Sequence, residues 1–168
     1  MDKKEMIKIT IFKNLPPELV KEIECVNFEK VEEIRIRVNR PVILKMGLNE
    51  IVLKHGVDSE GILNILQNFC NSSIYSYQNQ ICGGFLTIPG GHRVGISGSV
   101  ILKDGKVSNV TNLFSLNIRI AKEIKGCCTP ILQYIIDISK NTVYNTLIVS
   151  PPGAGKTTML RDIVNKIS

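Results

Sequence analysis

Tryptophan is absent from this 168-residue chain, and aromatic side chains amount to only 5%. A stacking platform for single-stranded nucleic acid interleaves aromatic with basic residues. Here Tyr75 and Tyr77 fall in a predicted helix instead, so that class of function finds little support. Histidine occurs only as His55 and His92, and the cysteines, Cys25, Cys70, Cys82, Cys127 and Cys128, show no C-x-x-C spacing. Zinc-ligand patterns are therefore missing, and an odd count with one adjacent pair makes no disulfide framework. Free thiols in a reducing compartment are the expectation, in preference to a redox pair at Cys127–Cys128. No apolar run approaches the roughly 20 residues that a membrane-spanning helix needs. Residues 1–14 scatter Asp2, Lys3, Lys4, Glu5, Lys8 and Lys13 among apolar positions, so no secretory signal peptide is expected.

What is present is a globular composition, 43% hydrophobic and 21% charged, with a net charge of +6. The excess is uneven: residues 1–40 carry +1, 41–88 carry −1, 89–140 carry +4 and 141–168 carry +2. A basic second half suits an anionic partner: nucleotide phosphate, nucleic acid or anionic lipid. Lys103, Lys106, Lys122 and Lys125 sit in or near turns, where solvation alone accounts for them.

Pro16-Pro17-Glu18 opens a short helix to about Cys25, proline being tolerated in a first helical turn. Glu33 to Val38 alternates strictly, with Ile34, Ile36 and Val38 on one face and Arg35 and Arg37 on the other, the pattern of a half-buried strand. Val42 to Met46 reads as the returning strand, and Ile51 to Leu53 as a further short one. Ser59 is the expected N-cap of a helix from Glu60 to about Cys70, whose stripe is Ile62, Ile65, Leu66 and Phe69. A second short helix is expected over Ser73–Gln80, ended by Gly83-Gly84. Four extended pieces follow: Phe85–Ile88, His92–Leu102, Val107–Val110 and Ser115–Ala121. Asp104-Gly105 is the hairpin turn between the second and third. This order predicts an α+β domain with a mostly antiparallel sheet and flanking helices over residues 1–125. Thr129-Pro130 then opens a helix to about Ser139, Asn145 to Ser150 reads as an apolar strand, and a helix follows from Gly155.

The last of these segments carries the chemistry. An apolar strand, a Gly-containing turn (Ser150-Pro151-Pro152-Gly153-Ala154-Gly155), Lys156-Thr157-Thr158 and a helix form the Walker A arrangement. Glycines let successive backbone N–H groups turn inward around phosphate oxygens. The helix directs its partial positive end at the same anion. Lys156 supplies an ammonium for the β and γ phosphates of ATP, and the Thr157 hydroxyl a ligand for Mg²⁺. The expected cofactor-binding residues are Gly153, Ala154, Gly155, Lys156, Thr157 and Thr158. Ser150 stands where the strict pattern has its first glycine. Residues 126–168 are thus expected to begin an α/β P-loop NTPase domain that they do not complete. The Walker B carboxylate and the water-orienting group that hydrolysis needs are not expected within the ten residues after Thr158, and the apolar run Leu132–Asp137 is rejected as their source because its spacing is helical.

Three segments together resemble the stage III sporulation protein AA family: residues 33–41 (E-I-R-I-R-V-N-R-P), 88–95 (I-P-G-G-H-R-V-G) and 150–163 (S-P-P-G-A-G-K-T-T-M-L-R-D-I). They keep the family's order and extend over residues 33–163. The resemblance implies a cytoplasmic ATPase similar to the motors of type II and type IV secretion, peripheral at a membrane complex and working as a hexameric ring. Its implied partners are membrane-embedded proteins of the channel between mother cell and forespore. The resemblance also gives the basic excess a role, because the N-terminal domain of such motors contributes arginines to the nucleotide site. Arg35, Arg37, Arg93 and Arg119 are the candidates and Arg93 the first choice, although an outward-facing strand position explains any single one. His92 is expected to be a turn residue rather than a ligand or base. Arg161 and Asp162 are either a subunit contact or an exposed helix pair. Two other functions stay open: a nucleic-acid-binding module fused to a P-loop, and a docking domain without nucleotide chemistry.

Overall fold

The computed structural model describes residues 3–122, 126–137, 139–151 and 154–167. The chain divides into two compact units, Met1–Ala121 and Lys122–Ser168. The first runs α1 (Lys3–Phe12), α2 (Pro17–Glu24), a 3-10 turn at Phe28–Lys30, β1 (Glu33–Arg37), β2 (Arg40–Met46) and β3 (Asn49–Val57). It continues with α3 (Ser59–Phe69), a 3-10 turn at Ile74–Tyr77, α4 (Gln78–Cys82), β4 (Phe85–Ile88), β5 (His92–Lys103) and β6 (Lys106–Arg119). The strands form one sheet in the order β3-β2-β1-β6-β5-β4, each neighbouring pair antiparallel. The architecture is α+β, a mostly antiparallel sheet with flanking helices.

Alternation decides which face is covered. Ile34 pairs with Ile118 and Ile36 with Leu116, and β5 sets Val94 and Ile96 opposite the same two β6 residues. These side chains are buried together with Val42, Leu44, Leu86 and Ile88. Against them pack Ile11 of α1, Leu19 and Ile23 of α2, Ile62, Ile65, Leu66 and Phe69 of α3, and Ile81 of α4. The helices thus lie on one face, as a sheet with one apolar side requires. The opposite face carries Arg35, Arg37, Arg93 and Arg119.

Several boundaries differ from those the sequence predicts. The N-cap of α3 is Asp58, whose carboxylate accepts the Gly61 N–H at 2.7 Å, and Ser59 is the first helical residue. Gly61 is needed beside that cap, since a Cβ there would stand 2.6 Å from Val57 Cγ1. The helix expected over Ser73–Gln80 is a 3-10 turn followed by α4. The two strands expected over Val107–Val110 and Ser115–Ala121 are one 14-residue strand, β6. Irregular register around Gly98 and a left-handed Asn112 (φ 45°) let it continue through the apparent break. At the hairpin turn both Asp104 (φ 51°) and Gly105 (φ 73°) are left-handed, as a two-residue turn of this hand demands.

Side chains from the helices meet some of the backbone groups on the free strand edges. Glu22 of α2 accepts the N–H groups of Lys54 (2.7 Å) and His55 (3.3 Å) on edge strand β3, and the His55 ring. Gln80 of α4 accepts the Thr87 N–H on edge strand β4 at 2.9 Å. Gln78 donates to the Ser108 carbonyl (3.1 Å) and to Asn109 Oδ1 (3.2 Å), where β6 has outrun β1. Backbone groups that would otherwise template another strand are thereby occupied.

His92 is the polar member of the covered face. It opens β5 rather than sitting in the preceding turn, and it is only 1% exposed. Its Nδ1 accepts the Ala121 N–H at 2.9 Å, tying the start of β5 to the end of β6. The ring proton therefore lies on Nε2, which finds no partner among the described residues and rests against Gly90, where a Cβ would approach it to 2.6 Å. Burial lowers the imidazole pKa from its ordinary 6.5, so His92 is held neutral.

The second unit contains α5 (Thr129–Ile135), β7 (Ile136–Asp137), β8 (Thr142–Val143) and α6 (Lys156–Ile167). The helix expected to continue to about Ser139 stops at Ile135, and Ile136–Asp137 pairs with Thr142–Val143. Its small core is Cys128, Ile135 and Ile163, with Ile131, Leu132, Ile148 and Met159 packed against them. The strand expected over Asn145–Ser150 is absent: residues 144–151 form no regular element. Ile148 turns inward while Leu147 (87% exposed) and Val149 (81%) face out. The alternation is that of a strand, but none of the described strands of this unit pairs with it, and unpaired extended backbone is not a stable strand.

Truncation of Ile118, fully buried at the centre of the sheet, to alanine should cost unit 1 about 2–5 kcal/mol in urea unfolding. Val52→Ala, at a side chain 62% exposed, should change it by less than about 0.5 kcal/mol. The depressed His92 pKa has a definite sign. Below 6.5 the unfolded chain takes up a proton that the folded chain refuses, so stability should fall from pH 6.5 down to the folded pKa and then level. A His92→Phe variant should lose that limb of the pH profile while being less stable at pH 8, where Ala121 lacks its acceptor.

Candidate functional site

Two groups of residues carry chemistry, one in each unit. In the second unit Gly155 precedes α6 with φ +84°, and among the described residues no heavy atom beyond its chain neighbours comes within 4 Å of where its Cβ would be. That conformation belongs to glycine, and the space beside it is open. Lys156, the first residue of α6, folds back over the preceding loop. Its Nζ donates to the Ser150 carbonyl at 2.5 Å, the Pro151 carbonyl at 3.1 Å and Ser150 Oγ at 3.2 Å. All three acceptors are neutral, and no carboxylate pairs with this ammonium among the described residues. The first amides of α6 have no acceptors inside the helix, as at any helix start. Thr157 is exposed and Thr158 half-buried on that turn, and Ala154 N–H bends back to the Pro151 carbonyl at 3.4 Å. Gly153 lies outside the described residues. The arrangement is a cationic, amide-lined turn whose positive groups face neutral oxygens, and it can accept a phosphate-bearing ligand.

α6 is secured by a residue whose role the sequence misassigned. Asp162 is neither exposed nor paired with Arg161; it is 3% exposed. Its Oδ1 accepts the Gly126 N–H at 3.1 Å and its Oδ2 the Cys128 N–H at 2.9 Å. The Cys128 amide and thiol, together with the Gly126 amide, hold its pKa down at about 2 despite the cost of burial. Arg161 does face out. Nothing in the spacing announces this, because the partners lie 36 and 34 residues earlier and donate through their backbone. Asp137, the residue that ended the rejected apolar run, is committed to a local turn. It accepts from Ser139 N (3.1 Å), Ser139 Oγ (2.6 Å) and Lys140 N (3.2 Å).

In the first unit the four candidate arginines share the uncovered face of the sheet, but they are not equivalent. Arg35 is taken: Nε donates to Glu33 at 3.2 Å and Nη1 to Glu50 at 2.7 Å. Those contacts, Glu33 first, raise its pKa further. Arg37 is exposed at the end of β1. Arg93 lies over the Phe85 ring, its guanidinium carbon 3.6 Å from the centroid. Arg93 and Arg119 stand directly opposite each other across β5 and β6. Like charges in that position repel. Glu33, the residue opposite Arg119 on β1, already bonds Arg35. The pair is therefore a concentration of positive charge suited to an anion.

Some other chemistries find no geometry among the described residues. No group of three or more His, Cys, Asp or Glu side chains is placed to hold a metal ion. No helix is long and apolar enough to cross a membrane. The cysteines are free, and burial raises the pKa of Cys70, Cys127 and Cys128, which disfavours thiolate chemistry.

The chain is similar to stage III sporulation protein AA of Bacillus subtilis (strain 168), at 41% identity over 134 residues, covering 80% of this chain and 43% of that protein. It therefore spans less than half the length of that curated relative. Its fold is similar to the crystal structure of the Legionella pneumophila ATPase DotB, with a TM-score of 0.53 at 12% identity, covering 90% of this chain and 42% of that one. The Yersinia pseudotuberculosis ATPase DotB matches at a TM-score of 0.44 and 16% identity, over 91% of this chain and 43% of that one. Residues 1–168 match the family described as sporulation stage III, protein AA. The chain belongs to that family.

Proposed function

We propose that residues 150–158 are the phosphate-binding loop of an ATPase, and that the chain is the N-terminal part of a motor of the secretion type working in sporulation. The observation that carries this reading is the Lys156 ammonium, held at the start of α6 by three neutral loop oxygens and lacking a counter-ion among the described residues. In a site of this kind the β and γ phosphates take the place of those oxygens. Lys156 and the first-turn amides bind them, Gly155 leaves the backbone room to approach, and the Thr157 hydroxyl is the Mg²⁺ ligand. Mg²⁺ would supply charge neutralisation between the phosphates. The fold likeness to an ATPase and the family membership support the same class. On this reading residues 126–168 begin an α/β nucleotide-binding domain.

Arg93 and Arg119 fit the reading as a phosphate-facing pair, since opposed like charges cost stability unless an anion relieves them. Arg35 does not, being neutralised by Glu33 and Glu50. The nucleic-acid reading is weaker. Tyr75 and Tyr77 lie in the helical layer, and Phe85, on the arginine face, is covered by Arg93. Work at a membrane complex, channel proteins as partners and a hexameric ring belong to the same proposal for the whole protein.

The chain should bind MgATP weakly by calorimetry, and Lys156→Ala should lower the affinity ten- to a hundredfold. That corresponds to about 1.5–3 kcal/mol for hydrogen bonds to a charged group. Turnover by this chain alone should not exceed background, and hydrolysis that Lys156→Ala abolishes would contradict this. In the full-length protein Arg119→Ala should lower ATP turnover while stabilising unit 1 by about 0.2–1 kcal/mol. A residue kept only for the fold would show the opposite sign of stability change.

A further inference from the structure

The structure assigns Asp162 as a positioning residue, which locks the phosphate-binding end of α6 to the chain entry at Gly126–Cys128. This rests on the reading of residues 150–158 as a nucleotide site and deepens it. Asp162 is six residues beyond Lys156, under two turns along the same helix. Its two carboxylate oxygens are used separately, Oδ1 by the Gly126 amide (3.1 Å) and Oδ2 by the Cys128 amide (2.9 Å). One bond would permit α6 to roll about its axis; two on different oxygens oppose it. The side chain is 3% exposed, so water does not readily replace either donor. Ile163, the next residue, packs with Cys128 and Ile135, and Lys166 one turn later donates to Thr129 Oγ1 at 3.0 Å. α6 is thus fastened along one side to residues 126–135.

The consequence concerns direction. A phosphate is bound by amides that must converge on it, and these amides belong to the first turn of α6. A helix is stiff over two turns, so the clamp that sets its roll at Asp162 also sets where Lys156 and those amides point. Residues 126–128 lie near the start of unit 2. A displacement of residues 126–128 is therefore carried to the phosphate-binding turn through the Asp162 carboxylate, beside the packing of Ile163 on Cys128.

The test uses hydrogen exchange and MgATP titration by NMR on the 168-residue chain, with Asp162→Asn, Asp162→Ala and Lys156→Ala beside the wild type. Asparagine keeps the shape but turns one acceptor into a donor facing an amide. We expect both Asp162 variants to speed exchange at Gly126 and Cys128 and also at Met159, the α6 amide bonded to Gly155 O at 2.9 Å. Each should rise by at least about tenfold, with the Ile118 amide of unit 1 unchanged. Asp162→Asn should also weaken MgATP about tenfold although Lys156 is intact. Faster exchange at Gly126 and Cys128 with Met159 exchange and MgATP affinity unchanged would overturn the assignment and leave Asp162 a cap on the entry segment. If Lys156→Ala leaves MgATP affinity unaltered, the nucleotide reading falls, and Met159 exchange alone decides the positioning. Should the Asp162 variants unfold the second unit, the wild type decides: MgATP should slow exchange at Gly126 and Cys128, and unchanged exchange would refute the coupling.

Discussion

The first unit depends on the register of β6 between β1 and β5. Ile118 lies opposite Ile34 on one side and Val94 on the other, and Leu116 opposite Ile36 and Ile96. A shift of one residue on either side would turn these side chains to the uncovered face and bring arginines under the helices. The apolar core and the arginine face are thus two results of one pairing. Arg119 is set opposite Arg93 because Ile118 must lie opposite Val94. A polar surface with a fixed spacing of charges comes at no added conformational cost once the core has formed.

Two further choices shape what that surface can do. Glu33 and Glu50 neutralise Arg35, whereas the Arg93–Arg119 pair has no carboxylate partner among the described residues. Glu22, Gln78 and Gln80 meanwhile occupy backbone groups along β3, β6 and β4. Those contacts discourage the addition of another strand at these positions. His92 joins these parts, because its bond to Ala121 fixes the strand ends from which Arg93 and Arg119 project.

The second unit obeys a different constraint. Its apolar stretch at residues 145–150 alternates like a strand, yet a strand is defined by a neighbour, and no described strand of the unit lies beside it. α6 needs no such neighbour, since a helix satisfies its backbone internally. Its roll is nevertheless settled from outside, by Asp162 and the apolar contacts of Ile163 and Met159. The first turn of α6, with Lys156, thereby inherits its direction from residues more than thirty positions earlier in the chain.

Local pattern determined much of this protein. The alternation over residues 33–38, the stripe of α3, the Asp104-Gly105 turn and the Gly-Lys-Thr segment follow from side-chain period and glycine chemistry, which act within a few residues. Membership of the sporulation family was legible for the same reason, in three contiguous segments. Tertiary structure alone decided the rest. It merged two expected strands into β6, moved the α3 cap from Ser59 to Asp58, and buried Asp162 where helix surface was expected. It also separated Arg35, which Glu33 and Glu50 neutralise, from Arg93 and Arg119, which no carboxylate pairs among the described residues. Each of those outcomes turns on which distant group approaches a given atom, and a partner brought close by the fold leaves no mark on the spacing of the residue it meets.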